Sequence, residues 1–345
     1  MSSQGFAVYR KPYAEACTVV TGAVTEYASF SSLSRASGFV LAPFAPSPAE
    51  PVLVIGAERM VMVASADDVP PLPDFVAATP SLADRQSVSR QDYHIDFSNF
   101  HARLSQGEFQ KLVLSRSIVM AADGQLQPLQ LFQRACCSYP RMFIALVYTP
   151  QSGLWLTATP ELLLGGSGSQ WQTIALAGTM PYADHLEWSD KNRQEQRYVA
   201  TYIMRQLEQF ADRIDEEGPY TARAGHLAHL RSDFRFLLRQ DGDIGRLLQA
   251  LHPTPAVCGL PKQEAFQFIL QQEHHRRSYY SGFMGPLLME GHTALFVTLR
   301  CMQLFADCYR LYAGGGILTD SDEEQEWQET ETKLDTMRNV LNHKG

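Results

Sequence analysis

Apolar residues in this chain recur mostly with period two, in short runs bounded by glycine, proline and small polar residues, which reads as strands. Residues 52–56 and 60–64 are expected to form a hairpin turning at Ala57-Glu58-Arg59. A proline-punctuated loop spans 70–80, and the polar stretch 87–91 is read as a surface connection. Helical spacing through Phe97, Phe100 and Leu104 predicts a helix over 96–106. Residues 109–120 alternate as a strand, with Lys111, Val113, Ser115 and Ser117 on one face and Leu112, Leu114, Arg116 and Ile118 on the other. Then follow a helix over 128–138 with proline in its first turn, strands at 142–148, 153–158 and 172–176, and a long helix over 187–210. Strands at 231–238, 282–288, 294–304 and 308–313 lead into a final helix over 323–341. Strand-to-strand steps without intervening helices predict an α+β fold of large antiparallel sheets, sandwiched, with helices outside. No internal repeat or low-complexity tract interrupts a single domain over 1–345.

The C-terminal stretch carries the strongest chemical pattern. An apolar run ends in Gly314-Gly315-Gly316, whose bare amides let an anion approach, and a helix crowded with carboxylates follows. Ser321 with Glu324 three residues later has the spacing of a capping box. At about 100° per residue, Glu326, Glu329 and Lys333 share one edge of the apolar stripe formed by Trp327, Thr330, Leu334, Met337 and Leu341. That edge is either an ordinary Glu–Lys pair or an anion or metal site.

Other positions offer chemistry of their own. Lys111 within an apolar strand lies either on a wet face or in a cleft where it acts as a base. Thr159-Pro160-Glu161 reads as a strand entering a helical turn; Glu161 either complements a helix N-terminus or, among leucines, is a general acid. Ala177-Gly178-Thr179 is a small-residue turn suited to close approach by a ligand. Glu195 sits on the long helix among Asp190, Lys191, Arg193 and Arg197, which read as solvated. His252-Pro253-Thr254-Pro255 presents an imidazole on a rigid turn, and Arg300 falls in mid-strand. Together these residues are what a metal-dependent enzyme acting on a small polyanion requires.

Charge and composition narrow the class further. A net charge of −8 without basic runs argues against nucleic acid as partner. Six cysteines without CxxC spacing read as reduced thiols. No secretory leader and no apolar run of roughly 18 residues is visible, so a cytoplasmic protein without a membrane span is expected.

From Phe109 onward the chain resembles the chorismate-utilising enzymes, which include isochorismate, salicylate, anthranilate and aminodeoxychorismate synthases. The resemblance rests on Phe109-Gln110-Lys111-Leu112-Val113-Leu114-Ser115-Arg116, Thr159-Pro160-Glu161-Leu162-Leu163, Leu176-Ala177-Gly178-Thr179 and Leu251-His252-Pro253-Thr254-Pro255-Ala256. Arg277-Ser278-Tyr279-Tyr280-Ser281-Gly282 and the stretch from Ala313 to Lys333 complete it, whereas residues 1–95 match weakly. The resemblance implies that Lys111 activates water at C2 of chorismate and that Glu161 protonates the departing C4 hydroxyl. It implies Mg²⁺ held by Glu195 and Glu329, with Glu326 close by. Arg300 and Lys333 would hold substrate carboxylates, helped by amides around Gly178 and Gly314, with Ala177, Thr179 and His252 also at the substrate.

Ala177 stands where the members that form a covalent intermediate carry a lysine, so water or ammonia must be the nucleophile, and Lys111 favours water. Isochorismate synthase without a glutaminase subunit is the expected activity. Salicylate synthase, an anthranilate synthase component and a non-catalytic chorismate-binding protein are the alternatives. Gln196 replaces a histidine common in the family, Met180-Pro181 replaces basic residues, and the segment from Gly178 to Glu195 is short.

Overall fold

The structure, a computed structural model, describes residues 3–76, 86–122, 127–183, 185–224 and 227–342. The first strands are β1 (Gln4–Arg10), β2 (Cys17–Tyr27), β3 (Gly38–Ala42), β4 (Val52–Ile55) and β5 (Arg59–Val63). Helix α1 (Arg90–Ser105), β6 (Lys111–Ala121), α2 (Pro128–Ser138), β7 (Phe143–Thr149), β8 (Gly153–Thr159), β9 (Leu162–Ser167) and β10 (Gln170–Pro181) follow. Next come α3 (Asp190–Phe210), β11 (Ala211–Ala224), β12 (Leu227–Leu238), α4 (Ile244–Leu251), β13 (Gly259–Leu260) and α5 (Lys262–Gln272). The chain closes with β14 (Phe283–Leu287), β15 (His292–Val297), β16 (Cys301–Leu304), β17 (Cys308–Ile317) and α6 (Glu323–Asn342).

All the pairings are antiparallel. One sheet runs β5-β2-β1-β7-β8-β16-β17-β6-β13, and the other β2-β4-β3-β14-β15-β9-β10-β12-β11. Strand β2 belongs to both, so it staples the layers together. Their inner faces meet in a core that joins Phe143, Trp155 and Tyr312 of one sheet to Phe39, Met284 and Phe296 of the other. Phe143 and Phe296 stack across it with ring centroids 4.3 Å apart. Apolar faces of α3 and α4 cover the second sheet, and α2 and α6 cover the first. The sandwich with outer helices expected from the strand pattern is therefore present. Residues 1–95 are woven into it, because β1 pairs with β7 and β3 with β14. No helix among the described residues is long and apolar enough to cross a membrane.

Several local expectations are corrected. Strands β4 and β5 do not form a hairpin. Both run antiparallel to β2, at Val24–Tyr27 and Cys17–Thr21 respectively, so 52–63 is one line with an irregularity at 56–58. Gly56 N–H bonds to Ala23 carbonyl at 2.9 Å and Ala23 N–H to Glu58 Oε1 at 3.0 Å, which carries the pairing past that irregularity. No helix begins at Pro160: the leucines after Glu161 enter β9, which pairs with β15 and β10. The predicted strand 294–304 breaks into β15 and β16, and Arg300 sits in the break at φ 44°. Gly314-Gly315-Gly316 does not turn but stays in β17, paired with Ser115, Leu114 and Val113 of β6. Gly178 likewise makes no end to its strand; at φ 69° it forms a bulge between Ala177 and Thr179 of β10.

At α6 the cap is Asp322, whose Oδ1 accepts from Gln325 N–H at 3.0 Å, while Ser321 Oγ accepts from Leu318 N–H at 3.0 Å. Strand β11 is one the sequence pattern did not predict. In the proline-rich 70–80 loop, positions 77–80 lie outside the described residues.

Candidate active site

The β6–β17 pairing is the floor of the site. Opposite Val113, Gly316 leaves its outer space free, and a Cβ there would stand 2.2 Å from Glu195 Oε1 and 3.0 Å from Lys111 Cε. Lys111 thus crosses the bare strand to meet a carboxylate from α3, with Nζ 2.9 Å from Glu195 Oε1. Lys111 is fully buried, so the wet-face reading of this strand position is excluded. Gly315 does the same for α6: a Cβ there would lie 3.3 Å from Glu326 Oε2 and 3.5 Å from Glu329 Oε1. The glycines serve lateral room, not chain reversal.

Helix α6 is pinned by long-range contacts. Arg116 lies over the Trp327 ring at 3.7 Å and donates from Nε to Thr330 Oγ1 at 2.7 Å, and Tyr139 Oη donates to Thr336 carbonyl at 3.0 Å. This fixes Glu326 and Glu329 opposite the glycine strand beside Glu195 from α3, and each of the three meets a lysine. Lys111 holds Glu195, Lys191 holds Glu326, and Lys333 Nζ lies 2.7 Å from Glu329 Oε1 while also donating to Gly314 carbonyl at 2.8 Å. Burial first, then the neighbouring Glu329 charge, pushes the Glu326 carboxyl up to about 7. Burial opposes the charge on Glu195, yet Lys111 and the other lysines hold its carboxyl below the ordinary value. Lys191, read from sequence as solvated, is a member of this array.

Glu161 faces the cavity from between β8 and β9. It is almost fully buried, and desolvation pushes its carboxyl up to about 7 against the opposing pull of Lys111, Arg300 and Lys333. Arg300 donates to His229 Nε2 at 2.6 Å. A guanidinium only donates, so Nε2 accepts, and Nδ1 carries the ring proton given to Gly178 carbonyl at 2.9 Å. Burial, with Arg300 and Lys333 nearby, keeps His229 far below its ordinary pKa and therefore neutral. His229 escaped the sequence reading because β12 begins four residues before the strand predicted there. A histidine inside the apolar run Leu227-Ala228-His229-Leu230 was the available signal.

Of the residues singled out, Glu161, Ala177, Gly178, Thr179, Glu195, Arg300, Gly314 and Lys333 line one cavity. Lys111 stands just behind it at Glu195, and Glu326 and Glu329 flank it on the α6 side. His252 is not brought in. Its ring packs edge-on against Phe30 and Phe283 at 4.8 and 5.1 Å, and burial drives its pKa down to about 3. Gln196, beside Glu195, is buried and donates from Nε2 to Ala175 carbonyl at 3.2 Å and Ser232 Oγ at 3.3 Å, so it supports the helix. Among the described residues no three carboxylate, histidine or cysteine side chains close on one point as ion ligands.

A cavity lined by a raised carboxylic acid and a fixed guanidinium, with a buried ammonium just behind it, has the make-up of an enzyme site for a small carboxylate. Comparison with known proteins agrees. Residues 64–342 match the family of chorismate binding enzymes. The salicylate biosynthesis isochorismate synthase of Pseudomonas aeruginosa is 31% identical over 275 residues, covering 76% of this chain and 57% of that protein. Isochorismate synthase EntC of Escherichia coli is 30% identical over 273 residues, covering 76% of this chain and 70% of that one. Isochorismate synthase DhbC of Bacillus subtilis is 32% identical over 270 residues, covering 73% and 68%. In fold, the chain superimposes on a 2,3-dihydroxybenzoate-specific isochorismate synthase from Bacillus anthracis with TM-score 0.82 at 24% identity, covering 99% of this chain and 96% of that chain. It also matches the menaquinone-specific isochorismate synthase of Escherichia coli at TM-score 0.80, 24% identity, and 99% and 89% coverage. The chain belongs to the chorismate binding enzyme family.

Gly316→Ala tests the floor. The added methyl would force Glu195 and Lys111 apart, and stability measured by urea unfolding should fall by about 1–3 kcal/mol. An unchanged unfolding midpoint would show that the pair can stand elsewhere at no cost.

Proposed function

We propose that this protein isomerises chorismate to isochorismate. The observation that carries the reading is the pairing, around one cavity, of a carboxyl raised to about 7 at Glu161 with a buried lysine at Lys111. Water adds at C2 and gives a proton to Lys111 Nζ; the C4 hydroxyl leaves as water, taking a proton from Glu161. Lys111 rests in its ion pair with Glu195 and must shed a proton before it can accept one. Ala177 offers no nucleophile at the cavity wall, which supports water as the attacking group and an enzyme working without a glutaminase subunit. Arg300, oriented by neutral His229, and Lys333 are suited to the substrate carboxylates.

Mg²⁺ is assigned to Glu195, Glu329 and Glu326. Carboxylate oxygens suit this ion, and both α6 carboxylates reach the space beside Gly315, 3.3 and 3.5 Å from where a Cβ would stand. When bound, the ion supplies positive charge against the substrate ring carboxylate. The lysines that hold these carboxylates in the structure would have to yield to it.

Chorismate incubated with Mg²⁺ should yield isochorismate by chromatography, with turnover stopped by excess chelator and reduced by on the order of 10²–10⁴ in Lys111→Ala. Salicylate with pyruvate, anthranilate from added ammonium, or no turnover would each overturn the proposal.

The raised Glu161 carboxyl also sets a pH dependence. In the folded state it keeps its proton up to about pH 7, whereas unfolded it would lose it in the ordinary carboxylate range. Stability therefore falls as pH rises between those limits, and kcat/KM should fall above about pH 7 as the acid form is lost. Glu161→Gln should reduce that stability slope, leaving the share that Glu326, also raised to about 7, contributes, and should lose turnover at the same time. An undiminished slope would assign it wholly to other groups.

A further inference from the structure

Beyond Pro160, Leu176 and His229, which the two share as a wall, a second cavity of about 510 Å³ adjoins the catalytic one. Its charged lining residues are Lys11, Arg141, Arg223 and Arg231, and among the described residues no carboxylate lines it. In a chain of net charge −8 this is a local reversal of sign. The cations come from separate parts of the fold. Lys11 follows β1 and Arg141 precedes β7; Tyr13 N–H, bonded to Pro140 carbonyl at 2.8 Å, ties these two loops together. Arg223 lies over the Tyr182 ring at 4.3 Å, and Arg231 donates from Nε to Asp233 Oδ1 at 3.1 Å. Asp233 offsets Arg231 and Arg223 has contacts of its own, so the positive excess at the mouth is that of Lys11 and Arg141. Lys11, Arg141 and Arg223 are exposed, and Tyr13, 78% exposed, stands at the rim.

We infer that this second cavity is the anteroom by which a dicarboxylate substrate reaches the catalytic cavity, drawn in by the field of Lys11 and Arg141. The inference rests on the reading of the substrate as chorismate. A dianion approaching a molecule of net negative charge is repelled over most of its surface and attracted at this mouth. A cleft of one sign walled by protein concentrates such a substrate about 10–10³-fold. The effect reaches roughly 30 Å at 0.01 M salt and about 8 Å at 0.15 M, so it is read by changing ionic strength. The Pro160–His229 wall would be the last barrier before Arg300, whose guanidinium bonds to the far nitrogen of that histidine.

The test compares chorismate kinetics of the full-length protein with the double variant Lys11→Glu/Arg141→Glu. A control, Arg197→Glu/Arg205→Glu, makes the same change of net charge on the exposed side of α3. At about 0.01 M salt the mouth variant should lose at least about tenfold in kcat/KM, with a much smaller change in kcat. The gap should close as salt rises, and the control should stay near the parent. Parent-like kcat/KM and salt dependence in the mouth variant, or an equal loss in the control, would overturn the anteroom while leaving the activity in place. A parent protein that does not turn over chorismate would instead overturn the substrate reading, and the anteroom with it.

Discussion

A lysine with no exposed surface, 2.9 Å from a carboxylate on a different element, is the constraint around which this molecule is arranged. An ammonium taken out of water costs several kcal/mol, and removing the partner of such a pair typically costs about 3–5 kcal/mol. The fold accordingly devotes two strands and a helix to keeping Lys111 and Glu195 together. β6 supplies the lysine, β17 clears its path with Gly316, and α3 delivers the glutamate along a face anchored by Val199, Ile203 and Leu207. A pair of this kind adds little net stability, so its retention argues for chemistry.

The same logic extends around the cavity. Glu195, Glu326 and Glu329 would repel one another and any anionic ligand, yet each is matched by a lysine from β6, α3 or α6. Among the described residues Glu161 has no such partner at salt-bridge distance, and burial answers by favouring its neutral form. Carboxyls in one cavity are thus driven to opposite protonation states by their surroundings, the separation that acid and base roles require. His229 completes the set by staying neutral, which lets it accept from Arg300 and orient the guanidinium without competing for an anion.

Much of this was legible in the sequence, for physical reasons that also explain the misses. Period-two runs mark strands because alternate side chains face opposite sides of a sheet, so β6, β7, β8 and β17 were readable. Lys111 on β6 stood out for the same reason, and Glu326, Glu329 and Lys333 by helical spacing along the apolar stripe of α6. Glu195, among charged neighbours on α3, stood out only through the family resemblance. What escaped depended on partners distant in sequence. Lys191 looks solvated among its neighbours, and only the docking of α6, 135 residues onward, buries its contact with Glu326. Leu162-Leu163-Leu164 fits a helix or a strand equally, and pairing with β15 decides it. Strand β11 is exposed along most of its length and carries Gly218-Pro219, so neither alternation nor apolarity marks it. Glycines at 314–316 read as a turn from local freedom, whereas their use is the space they leave for side chains from α3 and α6.

The central claim is that Lys111 and Glu161 work at the two ends of a displacement in which solvent oxygen enters at C2 as the C4 oxygen leaves. Turnover of chorismate in ¹⁸O-enriched water, with the product's C2 hydroxyl analysed by mass spectrometry, tests it most directly. The account predicts isochorismate carrying one solvent oxygen at C2. Product that keeps the original C4 oxygen would mean an internal transfer, and would contradict the roles given to both residues.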